Sequence, residues 1–429
     1  MTGKAVAYAE RLLRFAGLDA GAHTAALAAL VPAERAPVLD WAASGAMALT
    51  GRIDGPPLGA PGAQAANLAG VAAAAAVVAR TLPWWSGDDP LAPADAPATL
   101  GWRAATLGLR RRGRMSCGGG HRLFTCDDAG VAAGLPRRDD VEMVPAWAGR
   151  PVDDPWAAIE DGISRMGAPE AVERAQLLGL PFALVSPPPT PPPAPFRWTD
   201  AGRRDRERRP LVVDLTALWA GPLCTLLLAR AGARVITAGR RDPMREALPA
   251  LHEGKGALDL DLHDPELARL LRRADVVVES FRPRVLDDAG LGPDVLLDER
   301  PDVVWVSITG YGRNGPTRNR VALGDDAAAA GGIVALTRDT DGTPVFCADA
   351  FADPVTGLHA GFAALRALAG DRGGLLDVAM VDVVGHLVGG AAPVTEPARR
   401  VGEAWVAVAG DDLEPVAPPR LPRPPRPKR

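Results

Sequence analysis

The chain has 429 residues, a formal net charge of −4 at pH 7, 47% hydrophobic residues and 23% charged residues. This composition is that of an ordinary soluble protein with two or three core-forming domains, and the slight negative charge argues against a general nucleic-acid binder. The four cysteines form no CxxC pair, and the longest apolar run, residues 68–79, is too short to span a membrane. We therefore expect a cytoplasmic protein without a metal site, a disulfide framework or a membrane segment.

The first 200 residues contain regions of different character. Residues 1–80 are alanine-rich and repeat their larger apolar side chains at helical spacing. Residues 101–148 indicate short strands around a glycine-rich loop, and residues 168–186 indicate a helix followed by a strand. The proline run at 187–195 cannot form a packed helix or a central strand, so we predict a semi-rigid linker there.

From residue 210 to residue 387 the pattern alternates between strands and helices. The strand candidates are four runs rich in β-branched residues, at 211–215, 233–238, 275–280 and 303–309. Such runs separated by helices are typical of a parallel, doubly wound sheet. We predict an α/β fold with a Rossmann-like large domain and a smaller α+β domain. The proline- and arginine-rich residues 391–429 are predicted to be disordered.

Two segments of the chain resemble each other at an offset of 287 residues. Residues 43–70 align without gaps to residues 330–357, with shared Leu-Thr and Asp-Gly-x-Pro motifs at the same spacing. Chance similarity in a chain rich in alanine and glycine is the alternative explanation. Each copy predicts a helix, an Asp-Gly turn, an extended segment and a second alanine-rich helix. The copies differ at one chemically important position, because Asp353 of the second corresponds to Ala66 of the first.

Asp353 precedes Pro354 and an apolar helical pattern, so it is predicted at the N-cap of a helix. A purely structural cap is the simplest interpretation of these residues alone. The same place also suits a nucleophile, because a helix N-terminus stabilises an ionised carboxylate and offers free backbone N–H groups to an oxyanion. The local sequence leaves both interpretations open.

Several basic residues stand out by their position or their rarity. Lys255 is one of only three lysines, which indicates a specific need for its ammonium group, although an ordinary surface position explains it equally well. Four arginines follow predicted strand ends, where ligands of open α/β sheets bind: Arg240, Arg241, Arg282 and Arg284. Together they suit an anionic, phosphate-bearing ligand. The turn at 216–233 lacks the GxGxxG pattern, so a dinucleotide site has little support.

Five runs of this half together resemble the family III CoA-transferases, the CaiB/BaiF type that includes formyl-CoA transferase. In the family's order and spacing, they are residues 212–236, 254–266, 274–292, 306–316 and 352–361. The resemblance implies that Asp353 is the catalytic nucleophile. The positions that it implies as CoA contacts are Trp219, Ala220, Arg240, Lys255, Ser280, Phe281 and Tyr311.

The same resemblance distinguishes this chain from the related racemases. Those enzymes use a histidine–aspartate pair, and their histidine would fall at Gly324 of this sequence. Its absence argues against racemisation, and a racemase-like isomerase of the same superfamily stays as an alternative. Trp219 departs from the smaller or polar residue that often occupies its position, which leaves the acyl specificity open.

The first half resembles the same family in a different order. Residues 43–80 are similar to the later part of a large domain, and residues 101–148 are similar to the small domain, with Gly118, Gly119 and Gly120 matching the lid of formyl-CoA transferase. We hypothesise a tandem or permuted ancestor. The predicted parts are a degenerate partial copy of the large domain (1–100), the small domain (101–165), a return segment (166–186), a linker (187–209), the large domain (210–390) and a disordered tail (391–429).

The resemblance implies a CoA-transferase that moves CoA from an acyl-CoA to a carboxylic acid through a covalent intermediate on Asp353. It also implies acyl-CoA and carboxylic acid substrates, no permanently bound cofactor and a homodimer. The altered first copy leaves a catalytically inactive CoA-binding or interaction protein as an alternative. A nicotinamide-dependent dehydrogenase would need the phosphate-binding loop that the sequence lacks.

Overall fold

A computed structural model describes residues 3–126, 129–205, 207–239 and 244–423. The α-helices in these ranges are α1 Lys4–Phe15, α2 Thr24–Leu30, α3 Pro37–Ser44, α4 Gln64–Ala79, α5 Trp102–Leu107, α6 Arg138–Ala148, α7 Pro155–Met166, α8 Ala168–Leu177, α9 Ala220–Ala231, α10 Met244–Ala247, α11 Pro265–Leu271, α12 Pro283–Asp288, α13 Pro293–Glu299, α14 Gly324–Gly331, α15 Ile333–Leu336, α16 Ala352–Ala369 and α17 Met380–Val388. None of these helices is long and apolar enough to cross a membrane.

The strands in the same ranges form three sheets. They are β1 His121–Thr125, β2 Gly130–Gly134, β3 Phe182–Val185, β4 Arg197–Arg203, β5 Leu211–Asp214, β6 Arg234–Ala238, β7 Gly256–Leu258, β8 Val276–Glu279, β9 Val304–Thr309, β10 Arg372–Ala379, β11 Arg399–Val401, β12 Ala404–Ala409 and β13 Asp412–Pro415.

The large domain is built on a seven-stranded sheet of order β4-β10-β9-β8-β5-β6-β7. Strands β5 to β10 are parallel, and only the edge strand β4 is antiparallel to its neighbour. Every residue of β8 and β9 is buried, which explains why these strands are apolar runs without alternation. The four strand predictions and the α/β fold class are confirmed.

The strand order reverses next to β5, which lies between β8 and β6. The chain passes from β5 through α9 to β6 and β7, and then returns through α11 to β8 on the other side of β5. The connections after β5 and β8 therefore diverge and leave a crevice at the carboxyl ends of these strands. This is the usual place for a ligand in an open α/β sheet.

Four helices pack side by side in the order α1, α4, α16 and α9. Glycines permit the close contacts within this layer. A Cβ on Gly70 would lie 2.4 Å from the carbonyl oxygen of Ala5, and a Cβ on Gly357 would lie 2.6 Å from that of Ala220. The N-terminal helices consequently share one hydrophobic core with the large domain.

The predicted repeat corresponds to matching secondary structure. The offset of 287 residues maps α3 onto the bounds of α14, and it maps the start of α4 to within one residue of the start of α16. Thr50 and Thr337 each donate a side-chain hydrogen bond to the carbonyl four residues earlier, at 3.0 and 2.9 Å. Helix α4 carries Ala66 where α16 carries Asp353. An origin by duplication or permutation stays a hypothesis.

The small domain is an antiparallel sheet of β1, β2 and β3 that packs with α6, α7 and α8 around a separate core. The helix and strand predicted within 168–186 are α8 and β3. The glycine-rich loop at 118–120 directly precedes β1, so this sheet fixes one end of the loop.

The linker predicted at 187–209 is wrong for residues Arg197–Arg203, which form β4 and pair with β10. All but one of the β4 residues are exposed, so no apolar alternation marks the strand in the sequence. The preceding proline run packs against α17, where a Cβ on Gly385 would lie 2.8 Å from Pro189. The proline segment is thus part of the folded large domain.

The disorder predicted for 391–429 is also wrong for most of this segment. Strands β11, β12 and β13 form an antiparallel sheet, and Val406 and Ala407 of its central strand are buried. Gly402 and Gly410 have φ of 61° and 62°, the left-handed conformation that tight hairpin turns need. The high proline and arginine content of the segment obscured these two short hairpins. Residues 424–429 lie outside the described residues.

Candidate active site

Asp353 lies in the first turn of α16, which begins at Ala352. The predicted N-cap position is therefore wrong by a small margin, because Phe351 occupies the cap and Pro354 is tolerated within the first turn. Asp353 is a half-buried residue, and no group of the described residues donates a hydrogen bond to its carboxylate. The carboxylate is thus near a helix N-terminus without being used as a cap.

Backbone strain marks the loop that leads into α16. Ala348 and Ala350 adopt left-handed conformations, with φ of 56° and 45°, which cost a non-glycine residue about 1–2 kcal/mol each. The amide of Ala348 donates to Oγ1 of Thr50 at 3.0 Å, and the amide of Ala350 donates to Oδ1 of Asp325 at 3.2 Å. We call residues 348–350, which precede the predicted nucleophile Asp353, the nucleophile loop. Such strain is concentrated at functional sites in proteins.

Asp349 stands between the two strained residues, and its side chain is completely buried. Arg103 of α5 donates two hydrogen bonds to it, from Nε at 2.9 Å and from Nη2 at 2.5 Å. The same guanidinium acts on Asp353, as do the carboxylates of Asp325 and Asp326. Burial raises the pKa of Asp353 to about 7, Arg103 opposes this rise, and the three neighbouring carboxylates add to it.

His121 of β1 joins this cluster from the small domain. Its Nδ1 lies 3.4 Å from Oδ2 of Asp325, and its Nε2 lies 3.1 Å from Oδ1 of Asp326. Burial alone would lower the pKa of His121, but the hydrogen bonds to these two carboxylates outweigh burial and raise the pKa to about 9. The imidazolium therefore balances negative charge near Asp353 and connects β1 to the start of α14.

Gly324, the first residue of α14, lies beside Asp353. A Cβ on Gly324 would lie 2.5 Å from Oδ2 of Asp353 and 2.6 Å from Cβ of Ala350. The position where the resemblance places the racemase histidine is thus adjacent to the carboxylate, and here it is a glycine. Because Gly324 has no side chain, the space beside it is left to the carboxylate of Asp353.

The predicted lid, Gly118 to Gly120, lies at the edge of this cluster. A Cβ on Gly118 would lie 3.4 Å from Nη2 of Arg103, so the lid backbone approaches the guanidinium that binds the nucleophile loop. Gly119 has a φ of 76°, which a residue with a side chain rarely adopts. The structure thus brings the glycine loop and Asp353 into the same region.

A cleft of about 560 Å³ occupies the crevice at the carboxyl ends of β5, β6 and β8. Its lining includes Ser280, Phe281 and residues 215–218. The amide of Phe281 donates to Oε2 of Glu279 at 2.8 Å, which fixes the turn after β8. Two of the predicted CoA contacts therefore lie where the fold favours a ligand. Asp353 itself does not line this cleft.

Trp219 and Ala220 lie between this cleft and the cluster around Asp353. Trp219 follows the cleft-lining residues 215–218, is only 1% exposed, and has Cζ of Arg103 at 5.7 Å from its ring centroid. Its indole N–H has no acceptor among the described residues. Ala220 is the first residue of α9 and packs against α16. These two predicted contacts form a wall of the site rather than an open surface.

Lys255 is buried beneath the first turn of α9 and does not line the cleft. Its Nζ donates to Oγ1 of Thr225 at 2.6 Å and to the carbonyl of Pro222 at 2.8 Å, and it lies 3.4 Å from Oδ2 of Asp214. The Lys255 and Asp214 side chains are both 0% exposed. The ammonium group of Lys255 thus stabilises the turn between β5 and α9. A direct contact of Lys255 with CoA stays a prediction.

We expect Lys255→Met to lower the free energy of unfolding by about 3 kcal/mol or more, because it leaves the buried Asp214 carboxylate without its cation. The matched control is Lys4→Met, whose ion pair with Glu34 is about half exposed on both sides and is worth at most about 1 kcal/mol. Urea denaturation of both variants measures the difference. Equal losses for the two would show that the Lys255 network is not structural.

The remaining predicted contacts lie on the rim of the sheet. Arg282 is half-buried and Arg284 is exposed. Burial, and then the charges of Arg284 and Arg137, lowers the pKa of Arg282. Tyr311 is half-buried just beyond β9. Arg240 and Arg241 lie outside the described residues.

Sequence reasoning missed the charged residues that surround Asp353. They are Arg103, His121, Asp325, Asp326 and Asp349. The adjacent aspartates and the histidine beside the glycine loop were visible as unusual residues. Their mutual pairing was not visible, since more than 200 residues separate His121 from its two partners.

Part of the chain is similar to known proteins. Residues 210–409 match the family described as CoA-transferase family III. The chain is 35% identical, over 38% of its own length and 46% of the relative's, to a succinyl-CoA–D-citramalate CoA-transferase of Chloroflexus aurantiacus. It is 39% identical, over 24% of its length and 28% of the relative's, to a human alpha-methylacyl-CoA racemase.

Among solved structures, a CaiB/BaiF family protein of Brucella suis is similar with 26% identity and a TM-score of 0.40, over 49% of this chain and 65% of that one. The resemblance drawn from the motifs is confirmed for residues 210–409, which match the model of CoA-transferase family III. The chain spans about half, or less, of the length of the curated relatives that it matches.

Proposed function

We propose that this chain is a CoA-transferase that moves CoA from an acyl-CoA to a free carboxylic acid, with Asp353 as the nucleophile. The observation that carries the proposal is the carboxylate of Asp353, which accepts no hydrogen bond from the described residues and follows a strained loop at the start of α16. A structural carboxylate in such a place would be used as a cap or paired directly. This carboxylate is neither.

The proposed reaction begins when a carboxylate oxygen of Asp353 attacks the carbonyl carbon of the thioester. A C–O bond forms, the C–S bond breaks, and the CoA thiolate leaves a mixed anhydride on the enzyme. The thiolate then attacks the aspartyl carbonyl, which gives an aspartyl-CoA thioester and releases the donor acid. The acceptor carboxylate repeats the sequence in reverse, so acyl-CoA forms and Asp353 is restored. Each step is easier than direct exchange between two carboxylates.

The surroundings of Asp353 suit this sequence. In the first turn of α16 the amide of Asp353 already donates to the carbonyl of Ala350 at 2.9 Å and Pro354 has no N–H. The amide of Ala352 is therefore the group proposed to stabilise an oxyanion close to the carboxylate. The cleft at the carboxyl ends of β5 and β8 suits the nucleotide portion of CoA, and the predicted rim arginines suit its phosphates. The glycine loop at 118–120 is proposed to exclude water, which would otherwise hydrolyse the intermediates.

The direct test is a transfer assay with succinyl-CoA as donor and a panel of mono- and dicarboxylic acids as acceptors. Succinyl-CoA is the first choice because it appears in the name of the Chloroflexus aurantiacus relative. Formation of a new acyl-CoA supports the proposal. Saturable CoA binding without transfer to any acceptor would instead identify a catalytically inactive binding protein. Deuterium exchange at the α-carbon of a 2-methylacyl-CoA would indicate isomerase activity.

We expect the pH profile of kcat/KM to rise tenfold per pH unit below about 7 and then to level off. The rise follows from the pKa of Asp353, which burial raises to about 7, because only the ionised carboxylate attacks the thioester. A decline of kcat/KM is expected above about pH 9, where His121 loses its proton and leaves Asp325 and Asp326 without their cation. Steady-state kinetics from pH 5 to pH 10 measures both the rise and the fall of kcat/KM. The His121→Gln variant should lack the fall above about pH 9.

The homodimer and the cytoplasmic location stay predictions. Light scattering coupled to size exclusion tests the first, and fractionation of the source cells tests the second.

A further inference from the structure

The contacts that hold the nucleophile loop come mainly from the N-terminal half of the chain. Arg103 binds Asp349, and Oγ1 of Thr50 accepts a hydrogen bond from the amide of Ala348. Sγ of Cys117 donates to the carbonyl of Ala348 at 3.4 Å. Arg103, Thr50 and Cys117 all precede the segment that matches the family. The matching segment contains Asp353 and the nucleophile loop, but most of the side chains that bind this loop come from the part of the chain before residue 210.

The charges around Asp353 are unbalanced. The carboxylates are Asp325, Asp326, Asp349 and Asp353, and the cations are Arg103 and His121. His121 is engaged by the two carboxylates of α14, Asp325 and Asp326. Arg103 is therefore the cation of this cluster that acts directly on the nucleophile.

The position of the Arg103 guanidinium is tightly determined. Its Nε and Nη2 both bind Asp349, its plane lies near the Trp219 ring, and the backbone of Gly118 approaches it. Only 19% of the side chain is exposed. A lysine keeps the charge but cannot form the same two-pronged pair with a carboxylate. Charge and loop geometry can thus be separated by substitution.

We propose that Arg103 is a positioning residue for the nucleophile, which holds the loop at 348–350 in its strained conformation and supplies the positive charge that acts on Asp353. This inference rests on the proposed function for its kinetic consequences. It assigns an active-site role to the part of the chain outside the family match, and it makes residues 210–409 incomplete as a catalytic unit.

The test measures the titration of Asp353 without requiring turnover. Melting temperatures of the wild type and of Asp353→Asn are compared from pH 4 to pH 10. Because the folded-state pKa of Asp353 is raised, the carboxylate ionises first in the unfolded chain, and the wild type loses stability relative to Asp353→Asn as pH rises. The difference stops growing at the folded-state pKa, near pH 7. We call this pH the levelling point.

The same comparison is then made in an Arg103→Gln background. Loss of the nearby positive charge should move the levelling point upward by about one pH unit or more. The groups that act on Asp353 besides Arg103 are Asp325, Asp326 and Asp349, and His121 acts through the first two. The substitution keeps all four residues, but it also removes the cation that lowers the pKa of Asp349 and of Asp325. A levelling point that stays at its wild-type value in Arg103→Gln would overturn the proposal.

Kinetics separate the two parts of the role. Arg103→Gln should lower kcat about 10²-fold with little change in KM, because a displaced loop misaligns the nucleophile. Arg103→Lys should keep the levelling point near pH 7 while kcat stays low. If Arg103→Gln does not fold, Arg103→Lys decides alone, and wild-type kcat in that variant would refute the positioning role.

Arg366→Gln is the matched control. Arg366 of α16 is half-buried and donates from Nε to the carbonyl of Ala16 at 3.0 Å, so it also connects the two halves but is not among the groups that act on Asp353. Its loss should lower the melting temperature and leave the levelling point and kcat unchanged. Absence of turnover with every acyl-CoA, together with a shifted levelling point, would reject the proposed function and retain the electrostatic role of Arg103.

Discussion

Asp353→Asn is expected to lower CoA transfer at least about 10³-fold while CoA still binds. The amide has nearly the shape of the carboxylate but cannot form the anhydride, so the covalent route is closed. CoA binding should persist because Asp353 does not line the cleft that contains Ser280 and Phe281. Initial rates of acyl-CoA formation and calorimetric titration with CoA measure the two effects.

The matched control for this substitution is Asp339→Asn. Asp339 is also nearly buried, at 2% exposure, but it pairs with Arg52 and does not act on Asp353. The control should retain most of the transfer activity of the folded protein. Transfer by Asp353→Asn at a rate near that of the control would contradict the assignment of the nucleophile.

Gly324→Ala is expected to have the second largest effect on activity, with a loss of about 10²-fold or more. The added Cβ would lie 2.5 Å from Oδ2 of Asp353 and 2.6 Å from the carbonyl oxygen of Ala350. Such distances force the carboxylate and the nucleophile loop to move. The substitution therefore displaces the nucleophile without altering any charge.

Gly331→Ala provides the comparison for Gly324→Ala within the same helix. Its Cβ would lie 2.5 Å from Cβ of Val384, so the steric conflict is similar but directed at α17. Both variants should lose stability in thermal denaturation, and only Gly324→Ala should also lose activity per folded molecule. Equal specific activities of the two would show that the space beside Asp353 is not needed.

The sequence predicted the large domain well because its strands are buried on both faces. Residues of β8 and β9 have no exposed side, so their apolar runs indicated strands without any knowledge of neighbours. The edge strand β4 and the hairpins of β11–β13 were missed. Exposed strands are defined by the partner to which they hydrogen-bond, and that partner lies far away in the chain.

The candidate site was predicted only in part, for a similar reason. Asp353 was found because its motif is local and resembles a family, whereas Arg103 and His121 act through partners more than 200 residues away. Lys255 was singled out because lysine is rare in this chain, but its buried position beneath α9 follows from its contacts with Asp214 and Thr225. Tertiary contacts of this kind leave no periodic signal in the sequence.

The central claim is tested most directly by mass spectrometry of the peptide that contains Asp353 after incubation with succinyl-CoA and quenching with hydroxylamine. The account predicts that the side chain of Asp353 becomes a hydroxamate in the wild type, and that the peptide from Asp353→Asn is unchanged. An unmodified Asp353 in enzyme that transfers CoA, or a hydroxamate at another carboxylate, would contradict it.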